Sequence, residues 1–361
     1  MKIILTGGGT AGHVTPNLAL LPHLTALGHE IEYIGSKTGI EHELIKKTGI
    51  PYHGISSGKM RRYFSFENFA DAFRVVKGLG DAIGLMRRLK PDLVFSKGGF
   101  VSVPVVIAAG MLRIPVIIHE SDISMGLANK IAAPFAKKIC AVFPETMPSL
   151  PKKKAHNIPT PIRSELFEGS RIQGLKVCGF NDERSVLLIM GGSLGSVAIN
   201  KAIRENLDKL LQKYNIIHIC GAKNVDSQLE GVVGYKQFGY IDEEMPHVLA
   251  AADIVISRAG SNSINEFAAL RKPNLLIPLS RKASRGDQIL NAASFETRGF
   301  SMVIQEEDLN WEILSKSLEE LYVNRGKFIA KMEKSKSQDG IVQMIQLMEE
   351  VIKSGNLAVE G

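Results

Sequence analysis

The sequence predicts an α/β protein made of two doubly wound, parallel-sheet (Rossmann-like) domains facing a cleft. Three observations carry that expectation. Short apolar strands alternate with amphipathic stretches of helical period along the whole chain. The rhythm breaks once, at a Pro- and Lys-rich stretch, "PETMPSLPKKKAHNIPTP", residues 144–161, and then restarts. Each half opens alike, with a strand, a glycine-rich turn and a helix: Gly7-Gly8-Gly9-Thr10-Ala11-Gly12 in the first, Gly191-Gly192-Ser193-Leu194-Gly195 in the second. A length of 361 residues suits two domains, since a domain takes roughly 100–200 residues.

In the first half the expected strands are Lys2–Leu5, Ile31–Ile34, Leu93–Phe95, Val116–His119 and Ile139–Val142. Helical stretches such as Pro16–Leu27 and Phe66–Leu89 separate them. Continuous apolar strands joined by helical crossovers belong to parallel sheets covered on both faces. Residues 144–161 read as a connector, because proline continues neither a helix nor a central strand. The second half resumes with "SVLLIMGGSLGSVAIN", followed by strands at Ile216–Ile219, Ile254–Ile256 and Leu275–Ile277. Trp311 to Lys353 has room for two or three helices. The expected domains are 1–163 and 164–339, with a last helix at about 340–361 packing back on the first.

Composition excludes several classes. The three cysteines, Cys140, Cys178 and Cys220, are scattered in apolar runs with no C-x-x-C spacing. They read as buried thiols in a reducing compartment, not as a disulfide framework. No secretory leader is visible. The longest charge-free apolar tract, Gly98 to Leu112, contains Pro104 and is shorter than the about 18–20 residues that span a bilayer. A net charge of +7, from 44 Lys and Arg against 37 Asp and Glu, favours anionic partners such as phosphates or acidic headgroups. It is too mild to argue for nucleic acid.

The opening loop, "ILTGGGTAGH", fits G-x-G-x-x-G by letter. NAD, another ligand and a bare turn all remain open on that ground. A NAD site wants an acid at the end of the second strand for the ribose. Here that strand runs into Gly35-Ser36-Lys37, and Glu32 lies inside it. Glycines and a helix start let backbone N–H groups approach a phosphate or sugar. His13 follows at a helix N-terminus, where the dipole disfavours imidazolium and a neutral imidazole can serve as base. Its alternative is a histidine that caps or packs.

Further along, "SRAGSNSINEFAAL" (257–270) reads as strand, small-residue loop and then helix from about Ile264. Glu266 in its first turn could accept both hydroxyls of a ribose, or simply complement its own helix dipole. In "SRGDQILNA" (284–292), Asp287 and Gln288 open a helix and suit sugar hydroxyls. In "GKMRRYFSFENFADAF" (58–73), Lys59, Arg61 and Arg62 precede Tyr63, Phe64, Phe66, Phe69 and Phe73. Basic residues beside aromatics suit an anionic membrane surface; a core helix face is the plainer alternative. No zinc spacing, Walker lysine or Asp-x-Asp metal–nucleotide motif occurs.

Seven motifs in order, "TGGGTAGHVTPNLAL", "SKGGFVSVP", "HESDISMGLANK", "TPIRSEL", "MGGSLGS", "SRAGSNSINE" and "RGDQILNA", span the chain. Together they resemble the bacterial peptidoglycan glycosyltransferases that convert lipid I to lipid II. The resemblance implies a GT-B fold and UDP-N-acetylglucosamine (UDP-GlcNAc) as donor, held by the C-terminal domain. It implies lipid I as acceptor on the N-terminal domain, inverting β1,4 transfer to the MurNAc C4 hydroxyl, and no metal or other cofactor. It implies peripheral attachment to the cytoplasmic face of the cell membrane, with other cell-wall synthesis proteins as partners. By position, Thr10, Ala11 and Gly12 border the donor sugar and the acceptor pyrophosphate, and His13 is the base. Arg163 and Ser193 match positions near the UDP phosphates, and Ile241 the residue whose backbone meets uracil. Ser261, Asn262 and Ser263 match the loop at the nucleotide, Glu266 the ribose carboxylate, and Gln288 a GlcNAc contact. Asn129 falls near the acceptor. Two positions depart from the pattern: Asp122 stands where some members have Asn, and Asp287-Gln288 where others have paired glutamines. Competing readings are a GT-B glycolipid synthase using diacylglycerol, a non-catalytic nucleotide-sugar binding module, and the disfavoured dehydrogenase.

Overall fold

The computed structural model describes all residues except 59–66, 182, 193, 283, 336–339 and 357–361; the side chains of 67–74, 355 and 356 also lie outside the description. The chain divides into two compact units, Met1–Arg163 with Gln338–Gly361, and Ser164–Ser337.

Over Met1–Arg163 seven strands alternate with five α-helices among the described residues. They run β1 (Lys2–Thr6), α1 (Thr15–Ala26), β2 (Glu30–Ser36), α2 (Ile40–Lys46), β3 (Tyr52–Ile55), α3 (Glu67–Leu89), β4 (Leu93–Ser96), α4 (Ser102–Met111), β5 (Val116–Glu120), α5 (Leu127–Ala132), β6 (Lys138–Ala141) and β7 (Ala155–Asn157). The sheet order is β3-β2-β1-β4-β5-β6-β7, and every pairing is parallel. Strand alternation sends Ile3 and Leu5 to one face and Ile4 to the other, and both faces are buried. The second face is covered by α3 and α4 through Ala82, Met86, Val105 and Val106.

The second unit follows with α6 (Arg171–Cys178), β8 (Ser185–Met190), α7 (Val197–Arg204), α8 (Leu207–Leu211), β9 (Tyr214–Ile219), β10 (Tyr235–Phe238), α9 (Met245–Ala251), β11 (Ile254–Ser257), α10 (Ser261–Ala269), β12 (Asn274–Leu276), α11 (Asp287–Thr297), β13 (Ser301–Val303), α12 (Trp311–Val323) and α13 (Arg325–Glu333). Its parallel sheet has the order β10-β9-β8-β11-β12-β13, the same winding pattern as the first six strands of the other unit. Leu187, Ile189, Ile254 and Ile256 form its core with Ile199 and Ile203 of α7 and Leu314, Leu318 and Leu321 of α12.

The chain then returns to the first unit as α14 (Gly340–Asn356). Met344, Leu347, Met348, Val351 and Ile352 fall at helical spacing and join Ile3, Leu5, Tyr33, Phe95 and α1 in one core.

Two expectations change. Residues 144–161 are not only a connector: they contain β7, which pairs with β6 as an edge strand. The prolines and lysines flank this three-residue strand and none lies within it. The chain leaves the first unit only after Arg163. The helix after the "SRAG" loop starts at Ser261 instead of Ile264, with extended Gly260 as its N-cap. Small polar residues favour helix starts as readily as loops. Glu266 therefore sits in the second turn.

Candidate active site

In doubly wound sheets a ligand crevice lies beyond the carboxyl ends of the strands, where the strand order reverses. In the first unit that point lies between β1 and β4. A cavity of about 660 Å³ opens there, lined by Gly8, Gly9, Thr10 and His13 after β1, Ser36 and Thr38 to Glu41 around the end of β2, and Gly99 to Val101 after β4. His13 ends a single 3-10 turn, Ala11–His13, just ahead of α1, and is half-buried. Gly99 holds φ +83°, and a Cβ there would stand 2.1 Å from the Gly8 carbonyl oxygen and 3.2 Å from His13 Cδ2. The imidazole is thus packed against the β4 loop, and only glycine permits that approach.

The glycine run is partly satisfied from within. Gly8 N–H donates to the Gly98 carbonyl at 3.3 Å. Gly9 N–H donates to Glu41 Oε2 at 3.1 Å, and Ser36 N–H to Glu41 Oε1 at 3.1 Å. Glu41 is 1% exposed, so a buried carboxylate fastens α2 to the loops after β1 and β2. Gly9 therefore fixes the shape of the cradle; of the expected Thr10 to His13, Thr10 and His13 line the cavity, and Ala11 and Gly12 lie in the turn between them without lining it. Sequence reasoning missed Glu41, since an acid in a helix's first turn ordinarily reads as a dipole partner. Glu32, inside β2, is paired with Lys2 at 3.0 Å and with His53.

Beside this wall, β5 delivers Glu120. Its carboxylate accepts from Asp122 N–H at 3.0 Å, Gly126 N–H at 2.9 Å and Asn129 Nδ2 at 2.9 Å. Asp122 lies half-exposed in the loop between β5 and α5. Asn129 is buried, and its Oδ1 sits 3.2 Å from where a Cβ on Gly98 would be. It supports the loops from below; its amide is engaged by the protein. His119 is fully buried, and burial together with the Lys97 charge holds its pKa well below the usual histidine value.

The second unit repeats the arrangement between β8 and β11. A cavity of about 320 Å³ is lined by Met190 to Gly192, Gly195 to Val197, Ser257, Arg258, Gly260, Ser263, Leu279 and Gln288. Gly195 has φ +78°, and a Cβ would lie 1.8 Å from the Cys220 carbonyl oxygen, so the loop passes hard against the end of β9. Ser196 caps α7, its hydroxyl accepting from Ile199 N–H at 3.3 Å. Arg258 Nη2 donates to the same hydroxyl at 2.7 Å and pairs with Glu306, while Nη1 donates to the Ile277 and Pro278 carbonyls. Arg258 thus braces the cavity; inside its small-residue tract it read as loop. The N-termini of α7 and α10 both open here, a setting suited to phosphate.

Of the expected donor residues, Ser263 and Gln288 line this cavity. Gln288 Oε1 accepts from Leu279 N–H at 3.0 Å, so a ligand contact would fall to Nε2. Ser261 is buried in the first turn of α10, Asn262 and Glu266 are half-buried, and Ile241 is buried just past β10. Asp287 pairs with Arg285 at 2.7 Å. Arg163, the last residue of the first unit, is half-buried and its Nε has no hydrogen-bond partner. Ser193 and the basic–aromatic residues Lys59, Arg61, Arg62, Phe64 and Phe66 lie outside the described residues. Among the described residues no helix is long and apolar enough to cross a membrane, and no group of three or more His, Cys, Asp or Glu could hold a metal ion.

Two parallel-sheet units, each with a glycine-rich cradle at its strand-order reversal, make up the GT-B architecture of nucleotide-sugar glycosyltransferases. The N-terminal domain of glycosyltransferase family 28 matches residues 3–141 and its C-terminal domain residues 186–347; the chain belongs to that family and is a glycosyltransferase. A relative from Clostridium botulinum (strain Hall), named UDP-N-acetylglucosamine--N-acetylmuramyl-(pentapeptide) pyrophosphoryl-undecaprenol N-acetylglucosamine transferase, is 57% identical over 98% of this chain and 99% of its own. One of the same name from Clostridium tetani is 56% identical over 96% of this chain and 97% of its own. The crystal structure of MurG from Acinetobacter baumannii superposes with a TM-score of 0.76 at 27% identity, covering 97% of this chain and 99% of that one. The glycosyltransferase of kitacinnamycin, at 15% identity, shares the fold with a TM-score of 0.73 over 97% of this chain and 99% of that one.

Proposed function

We propose that the protein transfers GlcNAc from UDP-GlcNAc to the C4 hydroxyl of MurNAc-pentapeptide-pyrophosphoryl-undecaprenol, turning lipid I into lipid II. One observation carries the reading: relatives named for this reaction are 57% identical over 98% of the chain. The two cavities supply its chemistry. In a single inverting displacement the acceptor oxygen bonds to the anomeric carbon as the bond from that carbon to the UDP oxygen breaks. UDP leaves with the electron pair. His13, half-buried at the rim of the first cavity, takes the acceptor proton. The α7 terminus, with Ser193 and Arg163, steadies the departing diphosphate. Thr10 to Gly12 border the sugars, Ile241 and Ser261 to Ser263 meet the nucleotide, Glu266 holds the ribose, and Gln288 and Asp122 bind sugar hydroxyls.

The reaction proceeds without metal or other cofactor, so excess EDTA leaves the rate unchanged. The enzyme works peripherally on the cytoplasmic face of the cell membrane, in company with other cell-wall synthesis proteins. Lys59, Arg61 and Arg62 meet anionic headgroups while Phe64 and Phe66 enter the interface. The deciding experiment offers labelled UDP-GlcNAc with a lipid I analogue or with diacylglycerol. Label passes to lipid I; transfer to diacylglycerol alone, or binding without turnover, overturns the reading.

A further inference from the structure

Lys97 follows β4 and is 1% exposed. A buried ammonium is costly unless charge and hydrogen bonds offset it. Its Nζ donates to the Ser121 hydroxyl. Burial lowers its pKa to about 8, and the Glu120 and Asp122 carboxylates pull in the opposite direction. Its backbone precedes Gly98 and Gly99, and Gly99 lines the first cavity. The same side chain therefore touches the β4 wall through the chain and the β5–α5 loop through Ser121. Glu120 closes the circuit, binding Asp122 N–H and the Asn129 amide that lies against Gly98.

An acceptor bearing a pyrophosphate is anionic, yet this corner of the first unit holds a buried Glu120 beneath a half-exposed Asp122. Uncompensated, two carboxylates would repel such a substrate. We propose that Lys97 is a positioning residue for acceptor binding: it pins the 121–126 loop to the cavity wall and offsets the Glu120 and Asp122 charges, so that an acidic loop can face an anionic acceptor. This rests on the lipid I reading.

The test compares wild type, Lys97→Met, Asp122→Asn and the double variant. Methionine keeps the unbranched shape and removes the charge. With a lipid I analogue, Lys97→Met raises the acceptor KM at least tenfold and leaves the UDP-GlcNAc KM within twofold. Adding Asp122→Asn recovers most of that loss. Hydrogen exchange at 121–126 quickens in Lys97→Met, because the tether to Ser121 is lost, and stays quick in the double variant. An unchanged acceptor KM, an equal rise in both KM values, or no recovery in the double variant overturns the proposal. Wild type inactive on lipid I overturns the function instead; the exchange comparison still decides whether Lys97 fixes the loop.

Discussion

On the proposed function, two residues test the chemistry and the nucleotide site. His13→Ala should fold and bind UDP-GlcNAc as the native protein does, while kcat falls by about 10²–10⁴, the worth of a general base. Isothermal titration and initial rates separate the two effects, and a folded variant with near-native kcat removes His13 from that role. Gly195→Ala attacks the other cavity. Its Cβ would meet the Cys220 carbonyl at 1.8 Å in a left-handed backbone, so the loop must move. UDP binding should weaken by about tenfold or more, with the first unit's stability unchanged. His13 was legible because a histidine directly after a strand–glycine turn stands out in sequence. Glu41 and Lys97 were not. Each is a charged residue in a position where charge ordinarily faces water, and only the folded chain shows the carboxylate under Gly9 and the ammonium under the β5–α5 loop.

At the scale of elements, the strands that the sequence revealed were the inner ones. Leu93–Ser96 and Ile254–Ser257 are buried throughout and read as continuous apolar runs. The four that escaped, β3 (YHGI), β7 (AHN), β10 (YKQF) and β13 (SMV), are the edges of the two sheets. An edge strand needs only a few backbone bonds on one side, so its side chains carry little apolar signal. Helix α14 shows the opposite case. Its apolar stripe announced a partner, but β1 and α1, which it covers, lie more than three hundred residues back in the sequence. Met348 is 1% exposed in that core. Met348→Ala should cost the first unit about 2–5 kcal/mol. Chemical denaturation followed by a probe on each unit checks it: the first unit's midpoint falls and the second unit's stays.

The molecule as a whole consists of two units with separate cores. Calorimetry should resolve two transitions, and UDP should raise the one belonging to the second unit by mass action. A UDP-dependent rise in the first unit's transition alone would move the nucleotide to the other cavity. The winding order repeats between the units, which is why one strand–glycine–helix reading served twice. Everything specific to each cavity came from loops whose long-range partners periodicity does not encode.

The return of α14 to the first unit also makes residues 164–337 an insertion between two pieces of one core. Ile3, Leu5 and Phe95 are covered only while Met344 to Ile352 are present. A chain cut after residue 337 should keep its second unit folded, because every strand of that sheet remains, while its first unit opens. Limited proteolysis of the shortened chain checks it, with resistance at 164–337 and cleavage before 163. The second unit travels inside the first as a passenger, and the loss of a tail beyond the passenger is felt by the carrier.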